Sequence, residues 1–196
     1  ELNAPLSKQL ELQLALRQDH YEHIGGTTNP KLGLRWTPSA QLLVRASAGT
    51  GFRAPSLNDL YRPTKVGGTA ILPDPVYCAE NANDLGICAS SWETRTFANS
   101  QLKPERSRQW STGLVFQPLD KVSVSVDYWN ITKRDLISTV GDDVILANLG
   151  KYESLVHRYN EDEGLSGCDY DASDSTICFI ELRKENRGRQ KASGLD

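Results

Sequence analysis

The chain has 196 residues, with 22 Lys and Arg against 25 Asp and Glu, a formal charge of −3 and a pI near 5.7. That balance excludes the basic surface from which a nucleic-acid binder draws its affinity, so no nucleic-acid partner is expected. No run approaches the roughly 20 apolar residues of a membrane helix, a limit that does not touch β-barrels, whose strands turn only alternate residues to lipid.

The first element is a strand near 8–22, where Leu10, Leu12, Leu14 and Leu16 alternate with Glu11, Gln13, Arg17 and Asp19. The same phase returns near 30–37, with Leu32, Leu34 and Trp36 against Lys31 and Arg35, and near 41–52, with Leu42, Val44, Ala46 and Ala48 against Arg45 and Ser47. A long polar connection over 53–105 follows. Strands resume near 106–117, carrying Trp110, Leu114 and Phe116, and near 121–134, where Val122, Val124, Val126 and Tyr128 alternate with Ser123, Ser125 and Asp127. A second long connection covers 136–178, and a weakly alternating strand is expected near 179–196. The fold class is all-β, antiparallel and up-and-down. One face is apolar, and the cations and acids of the other, Arg17, Asp19, Lys31, Arg35, Arg45 and Asp127, are expected to meet one another or a filling domain.

The connections come in two kinds. Trp36-Thr37-Pro38-Ser39-Ala40-Gln41 and Phe116-Gln117-Pro118-Leu119-Asp120-Lys121 share one plan, and both predict a three-residue loop opening on Pro, with Trp36 opposite Leu42 and Phe116 opposite Val122. Very short turns alternating with very long connections is the asymmetry of an outer-membrane barrel. Each long connection holds a cysteine pair, Cys78 with Cys88 and Cys168 with Cys178, spaced unlike the short CxxC units of zinc sites. Two local disulfides are expected, in an oxidising compartment.

Other chemistries are weaker. Gly49-Thr50-Gly51-Phe52-Arg53-Ala54 fits a loose dinucleotide pattern, but Pro55 and Pro63 leave no room for the helix that pattern requires. His20, His23 and His157 lack a nucleophile context, and Asp169, Asp171 and Asp174 lack the glycine and terminal Glu of a calcium loop. No catalytic residue, metal site or cofactor is expected, and the chain is not expected to be an enzyme.

GFRAPSLNDLY, which supplies Gly51, Phe52, Arg53, Ala54, Pro55, Ser56, Leu57, Leu60 and Tyr61, is answered by LKPERS, which supplies Leu102, Pro104 and Glu105. With PKLGLRWTP from Pro30 and VDYWNITKRDLI from Val126, in this order, the chain resembles the C-terminal barrel of TonB-dependent outer-membrane receptors. The resemblance implies that residues 1–196 are part of a barrel of about 22 strands with a plugged lumen. The plug and the N-terminal segment that engages the TonB energy-transducing complex are expected to lie outside this chain, which contains no Met and looks cut at both ends.

The implied function is active transport of a ferric siderophore or other iron complex. The alternatives are cobalamin, haem or carbohydrate as ligand, or a passive barrel such as a porin or adhesin translocator. The implied location is the bacterial outer membrane, with long loops extracellular and short turns periplasmic. The motif residues are expected to be structural, with Arg53, Pro55 and Leu57 shaping the strand-to-loop transition. Ligand contacts are expected on the long loops from Arg62, Lys65, Tyr77, Trp92, Lys151, Tyr152, His157 and Arg158, since cations and aromatic faces together engage a planar anionic chelate. Lys103, Arg106 and Arg108 are candidate contacts for lipopolysaccharide phosphates, and outer-membrane lipid is an expected partner. An open sheet with an apolar face also predicts self-association of the fragment.

Overall fold

A computed structural model of the chain describes residues 1–22, 24–119, 121–159 and 177–196. In chain order the elements begin with strands β1 (Leu2–Pro5), β2 (Leu10–Tyr21), β3 (Gly25–Ser39) and β4 (Leu42–Arg53). Then come helix α1 (Leu57–Tyr61), β5 (Lys65–Pro73), helices α2 (Pro75–Glu80) and α3 (Leu85–Cys88), and β6 (Ala89–Phe97). The long strands β7 (Glu105–Leu119) and β8 (Val122–Arg134) precede the short β9 (Ile137–Ser138), helices α4 (Asp142–Ala147) and α5 (Leu149–Tyr152), and β10 (Val156–Arg158). β11 (Ile177–Arg183), β12 (Glu185–Asn186) and β13 (Arg189–Leu195) complete the set. They fall into two compact units, Glu1–Pro55 with Lys103–Ile137 and Asn186–Asp196, and Ser56–Leu102 with Ser138–Glu185.

The first unit is one sheet in the order β1-β2-β3-β4-β7-β8-β13, antiparallel throughout. Its register carries the alternation across the whole sheet. Leu12, Leu34, Ala46, Thr112, Tyr128 and Leu195 form one row, and Leu10, Trp36, Val44, Leu114 and Val126 the next. The apolar side chains of this face are not buried: in its other rows Leu16 is 69% exposed, Trp110 47% and Val124 54%. Apart from Pro55, every buried hydrophobic side chain among the described residues lies in the second unit. A sheet that turns an aligned apolar face outward and has no apolar interior is built for a solvent less polar than water. The five long strands run 12 to 15 residues, beyond the roughly 9–11 that cross a hydrocarbon layer.

The opposite face pairs its charges. Glu11, Arg35, Arg45, Gly113 and Asp127 form one cross-sheet row. Arg45 donates from Nε to Asp127 Oδ1 at 2.8 Å and also from Nη2 to the other carboxylate oxygen, reaching over the intervening strand. A Cβ on Gly113 would occupy the space of that carboxylate, so glycine is what lets the pair form. Arg35 reaches Glu11 at 3.9 Å and Arg17 reaches Asp19 at 2.8 Å.

The short turns differ from expectation in a shared way. Trp36 pairs with Val44 and Phe116 with Val124, two residues beyond the expected Leu42 and Val122, which instead face Ser39 and Leu119. Both strands continue through their Pro, and a register shift between Trp36 and Ser39, repeated between Phe116 and Leu119, absorbs one extra residue. A displacement of two keeps every apolar side chain on its face. Thr37 N donates to Gln9 O at 2.7 Å and Gln117 N to Gln41 O at 2.8 Å, so the two hairpins use the same bond to the preceding neighbour.

The second unit is built from the segments expected to be loops. β10, β11, β6 and β5 form a sheet in that order, with β11 and β6 parallel. Ile145, Leu146, Val156, Ile177 and Ile180 form its core, with Leu72, Trp92, Val140 and Tyr152 packed around them. The expected single strand over 179–196 is divided: its first part is β11 of this sheet, and β13 pairs with β8 in the other. Ile177 and Ile180 bury their side chains in an apolar cluster that a lumen or lipid face would not provide, and this contact claims the segment. Cys78 and Cys88 are joined in a disulfide. Cys178 is disulfide-bonded as well, and Cys168, expected to be its partner, lies outside the described residues, as do His23, Asp169, Asp171 and Asp174.

Candidate functional site

Within the first unit the two motif halves meet. Arg53 closes β4, Glu105 opens β7, and they are register partners. Arg53 Nε donates to Glu105 Oε2 at 2.9 Å and Nη2 to Oε1 at 2.5 Å, and Oε1 also accepts from Ile137 N at 2.9 Å. Beside them Asn186 accepts from Lys103 N at 2.7 Å and donates to Lys103 O at 2.7 Å and Asp135 O at 2.9 Å. Pro55 is buried, Pro104 half-buried, and Gly51, Phe52 and Ala54 half-buried. These residues hold strand ends together.

The rest of the first motif forms α1 of the second unit. Ser56 caps it: Asp59 N donates to Ser56 Oγ at 3.2 Å, and Asp59 Oδ2 accepts from Ser56 N at 3.2 Å and Oγ at 2.7 Å, a reciprocal box. Lys184 Nζ lies 3.6 Å from the same carboxyl. Burial pushes the Asp59 carboxyl up, but the Ser56 hydrogen bonds and Lys184 outweigh it and hold the group below its ordinary value of 3.8. Leu60 and Leu102 are buried, whereas Leu57 is 76% exposed and Tyr61 54%. Leu57, expected to shape this transition, is thus exposed, and Leu60 is the buried residue of α1.

The residues expected to contact ligand all lie in the second unit but divide by commitment. Trp92 is half-buried and donates from Nε1 to Leu72 O at 3.0 Å, and Tyr152 packs against the core. Arg158 places Nη1 and Nη2 each 2.7 Å from the carboxylate of Asp74, whose side chain is 1% exposed. Asp74 Oδ1 also accepts from Val76 N at 3.0 Å and so caps α2, which carries Cys78. Arg158 is thus the counter-ion that fixes the disulfide-closed segment. His157 stacks on Phe179 at 4.2 Å and places Nε2 3.2 Å from Glu181 Oε2. By contrast Arg62, Lys65 and Lys151 are exposed and form no ion pair with a described residue. Lys151 lies 5.1 Å over the ring of Tyr152, and Tyr77 on α2 is 41% exposed.

Sequence reasoning missed the partners on β6 and β11. The guanidinium of Arg95 lies 4.0 Å over Phe179 while its Nε donates to Glu93 at 2.6 Å, and Arg183 pairs with Glu181. The alternation Phe179, Glu181, Arg183 against Glu93, Arg95 was visible, but only the parallel pairing of Glu181 with Arg95 brings the two runs together. Among the described residues no group of three or more His, Cys, Asp and Glu converges as a metal site would require.

A sequence model of the family described as "TonB dependent receptor-like, beta-barrel" matches residues 1–196. The chain belongs to that family. Members of that family are outer-membrane β-barrel receptors that transport rather than catalyse. Solved structures agree on the fold. The siderophore receptor PirA from Acinetobacter baumannii is 18% identical, with a TM-score of 0.65 over 98% of this chain and 23% of its own. A ferric enterobactin receptor (PfeA) variant from Pseudomonas aeruginosa is 18% identical, with a TM-score of 0.65 over 98% of this chain and 22% of its own. PirA from Pseudomonas aeruginosa is 18% identical, with a TM-score of 0.62 over 98% of this chain and 28% of its own. The chain spans about a quarter of these receptors. No curated protein sequence matches it significantly.

Proposed function

We propose that this chain is part of the barrel of a TonB-dependent importer of a ferric siderophore or related iron chelate, with ligand captured by the second unit on the extracellular side. The observation that carries this reading is the set of exposed cations Arg62, Lys65 and Lys151, unpaired among the described residues, in the same unit as the exposed ring of Tyr77. Cations whose charge is not already neutralised attract an anionic chelate, and aromatic faces receive its planar groups. The siderophore receptors of similar fold support the choice of ligand class. A plug and a TonB-contacting segment elsewhere in the full-length protein would gate release inward. His157 and Arg158 are held by Glu181 and Asp74, so their part is to shape the unit.

The test is uptake of radiolabelled iron by cells producing the full-length receptor, supplied with catecholate, hydroxamate and citrate-type chelates in turn. Arg62→Ala, Lys65→Ala and Lys151→Ala combined should reduce uptake of one class about tenfold or more, the loss expected from several charge-assisted contacts, with normal amounts of assembled barrel. Unchanged uptake of every transported chelate would refute the assignment.

A further inference from the structure

The outward face of the first unit changes chemistry along its strands. Arg106, Arg134 and Arg189 are direct register partners on β7, β8 and β13, so three guanidinium side chains stand abreast on one face. The next row toward the apolar zone is Arg108, Thr132 and Lys191. Below these the rows turn to Trp110 and then Tyr128, whose rings lie 5.3 Å apart. All five cations are exposed, and none forms an ion pair with a described residue. These rows contain no carboxylate. The opposite face of the same sheet pairs Arg45 with Asp127 and Arg53 with Glu105, so the outward row is an exception within its own unit.

Like charges directly opposite one another on a sheet are destabilising. Three strands set about 4.8 Å apart place the row across roughly 10 Å, within the span of one phosphorylated headgroup. Aromatic residues beside the cations mark the depth at which headgroups sit, and the apolar rows continue from there to where acyl chains would lie.

We propose that Arg106, Arg134 and Arg189, supported by Arg108 and Lys191, form a docking surface for the phosphates of a lipopolysaccharide headgroup. Bound phosphate oxygens neutralise the row and accept charge-assisted hydrogen bonds from guanidinium groups on three strands at once. Of the cations suggested by the sequence for this role, Arg106 and Arg108 belong to the surface, while Lys103 precedes β7 and lies outside these rows. The proposal rests on the outer-membrane reading, and its test is independent of transport.

The test uses full-length receptor stripped of lipid in detergent and titrated with bisphosphorylated lipid A, the same lipid after phosphatase treatment, phosphatidylglycerol, and inorganic phosphate. Wild type should bind the bisphosphorylated lipid at least about tenfold more tightly than the dephosphorylated one. The combined Arg106→Gln, Arg134→Gln and Arg189→Gln variant should lose that preference, and the corresponding Lys variant should keep part of it. Assembly is checked by heat-modifiable mobility; should the triple variant fail to assemble, Arg134→Gln alone should still weaken binding severalfold. No preference for the phosphorylated lipid, an unchanged affinity in the Gln variants, equal binding of phosphatidylglycerol, or displacement by millimolar inorganic phosphate would each overturn the proposal. A wild type that binds phosphorylated lipid A yet imports no iron chelate would sink the transport reading and leave this one standing.

Discussion

Arg53 and Glu105 lie 52 residues apart in sequence and form a two-pronged ion pair where β4 ends and β7 begins. The connection between them contributes to a separate folded unit, so this pair closes the sheet behind a large excursion. The Arg53 side chain is 63% exposed and that of Glu105 10%. The two partners should therefore respond unequally. Arg53→Ala leaves a mostly buried carboxylate with Ile137 N as its remaining hydrogen-bond donor among the described residues and should cost about 2–3 kcal/mol. Glu105→Gln keeps an acceptor for Ile137 N and leaves a hydratable guanidinium, and should cost about 1 kcal/mol. Thermal unfolding of the full-length receptor in detergent measures both, and a reversed order would refute the account.

Gly113 separates Arg45 from Asp127 and gives their contact its room. Gly113→Ala should displace the Asp127 carboxylate and lose the ion pair, lowering the unfolding temperature. In an Asp127→Ala background the same substitution should cost almost nothing. The double-mutant cycle checks this, and simple additivity would show that the glycine serves another purpose.

Arg158 should behave as a structural residue. Arg158→Ala strands a buried Asp74 charge and should destabilise the second unit by about 3 kcal/mol. Arg158→Lys should recover only part, since an ammonium cannot make both contacts. Protease susceptibility of the segment closed by Cys78 and Cys88 reports the effect. Non-reducing peptide mapping should recover those two cysteines as one linked pair.

The capping box at Ser56 predicts a pH dependence. The Asp59 carboxyl is held below 3.8 in the folded chain, so its contribution is complete above the unfolded value, near pH 4, and is lost as pH falls through the depressed folded value. Protection of the Leu57–Tyr61 helix in hydrogen exchange should fall in that acidic range relative to neutral pH. Asp59→Asn should be weaker at neutral pH and flat across the same range. Parallel profiles for the two proteins would remove Asp59 as the cause.

Residues 1–196 produced alone should associate or require detergent. The outer strands β1 and β13 leave backbone groups unpaired in the described sheet, and the apolar rows beside them face outward. Light scattering with and without detergent decides, and a monodisperse monomer in plain buffer would count against the membrane-facing assignment.

Five long strands and their two faces were readable directly from Leu10 to Asp127, because a period of two is a local property that any lipid-facing strand must satisfy. The motif pair around Arg53 and Glu105 was readable too, since both sit at strand ends with distinctive neighbours. The identity of the second unit was not. Ile145, Val156, Ile177 and Ile180 are scattered through polar sequence without a period, and they become a core only when distant segments pack together. The same holds for the division of 179–196 between two sheets, for the parallel pairing that sets Arg95 beside Phe179, and for Arg158 meeting Asp74. The outward row of Arg106, Arg134 and Arg189 exists only in the cross-strand register, which depends on hydrogen bonding between strands and on a bulge that shifts each hairpin. Alternation along one strand states which face a side chain takes; which residues stand beside it is set by pairing, and pairing is a tertiary fact.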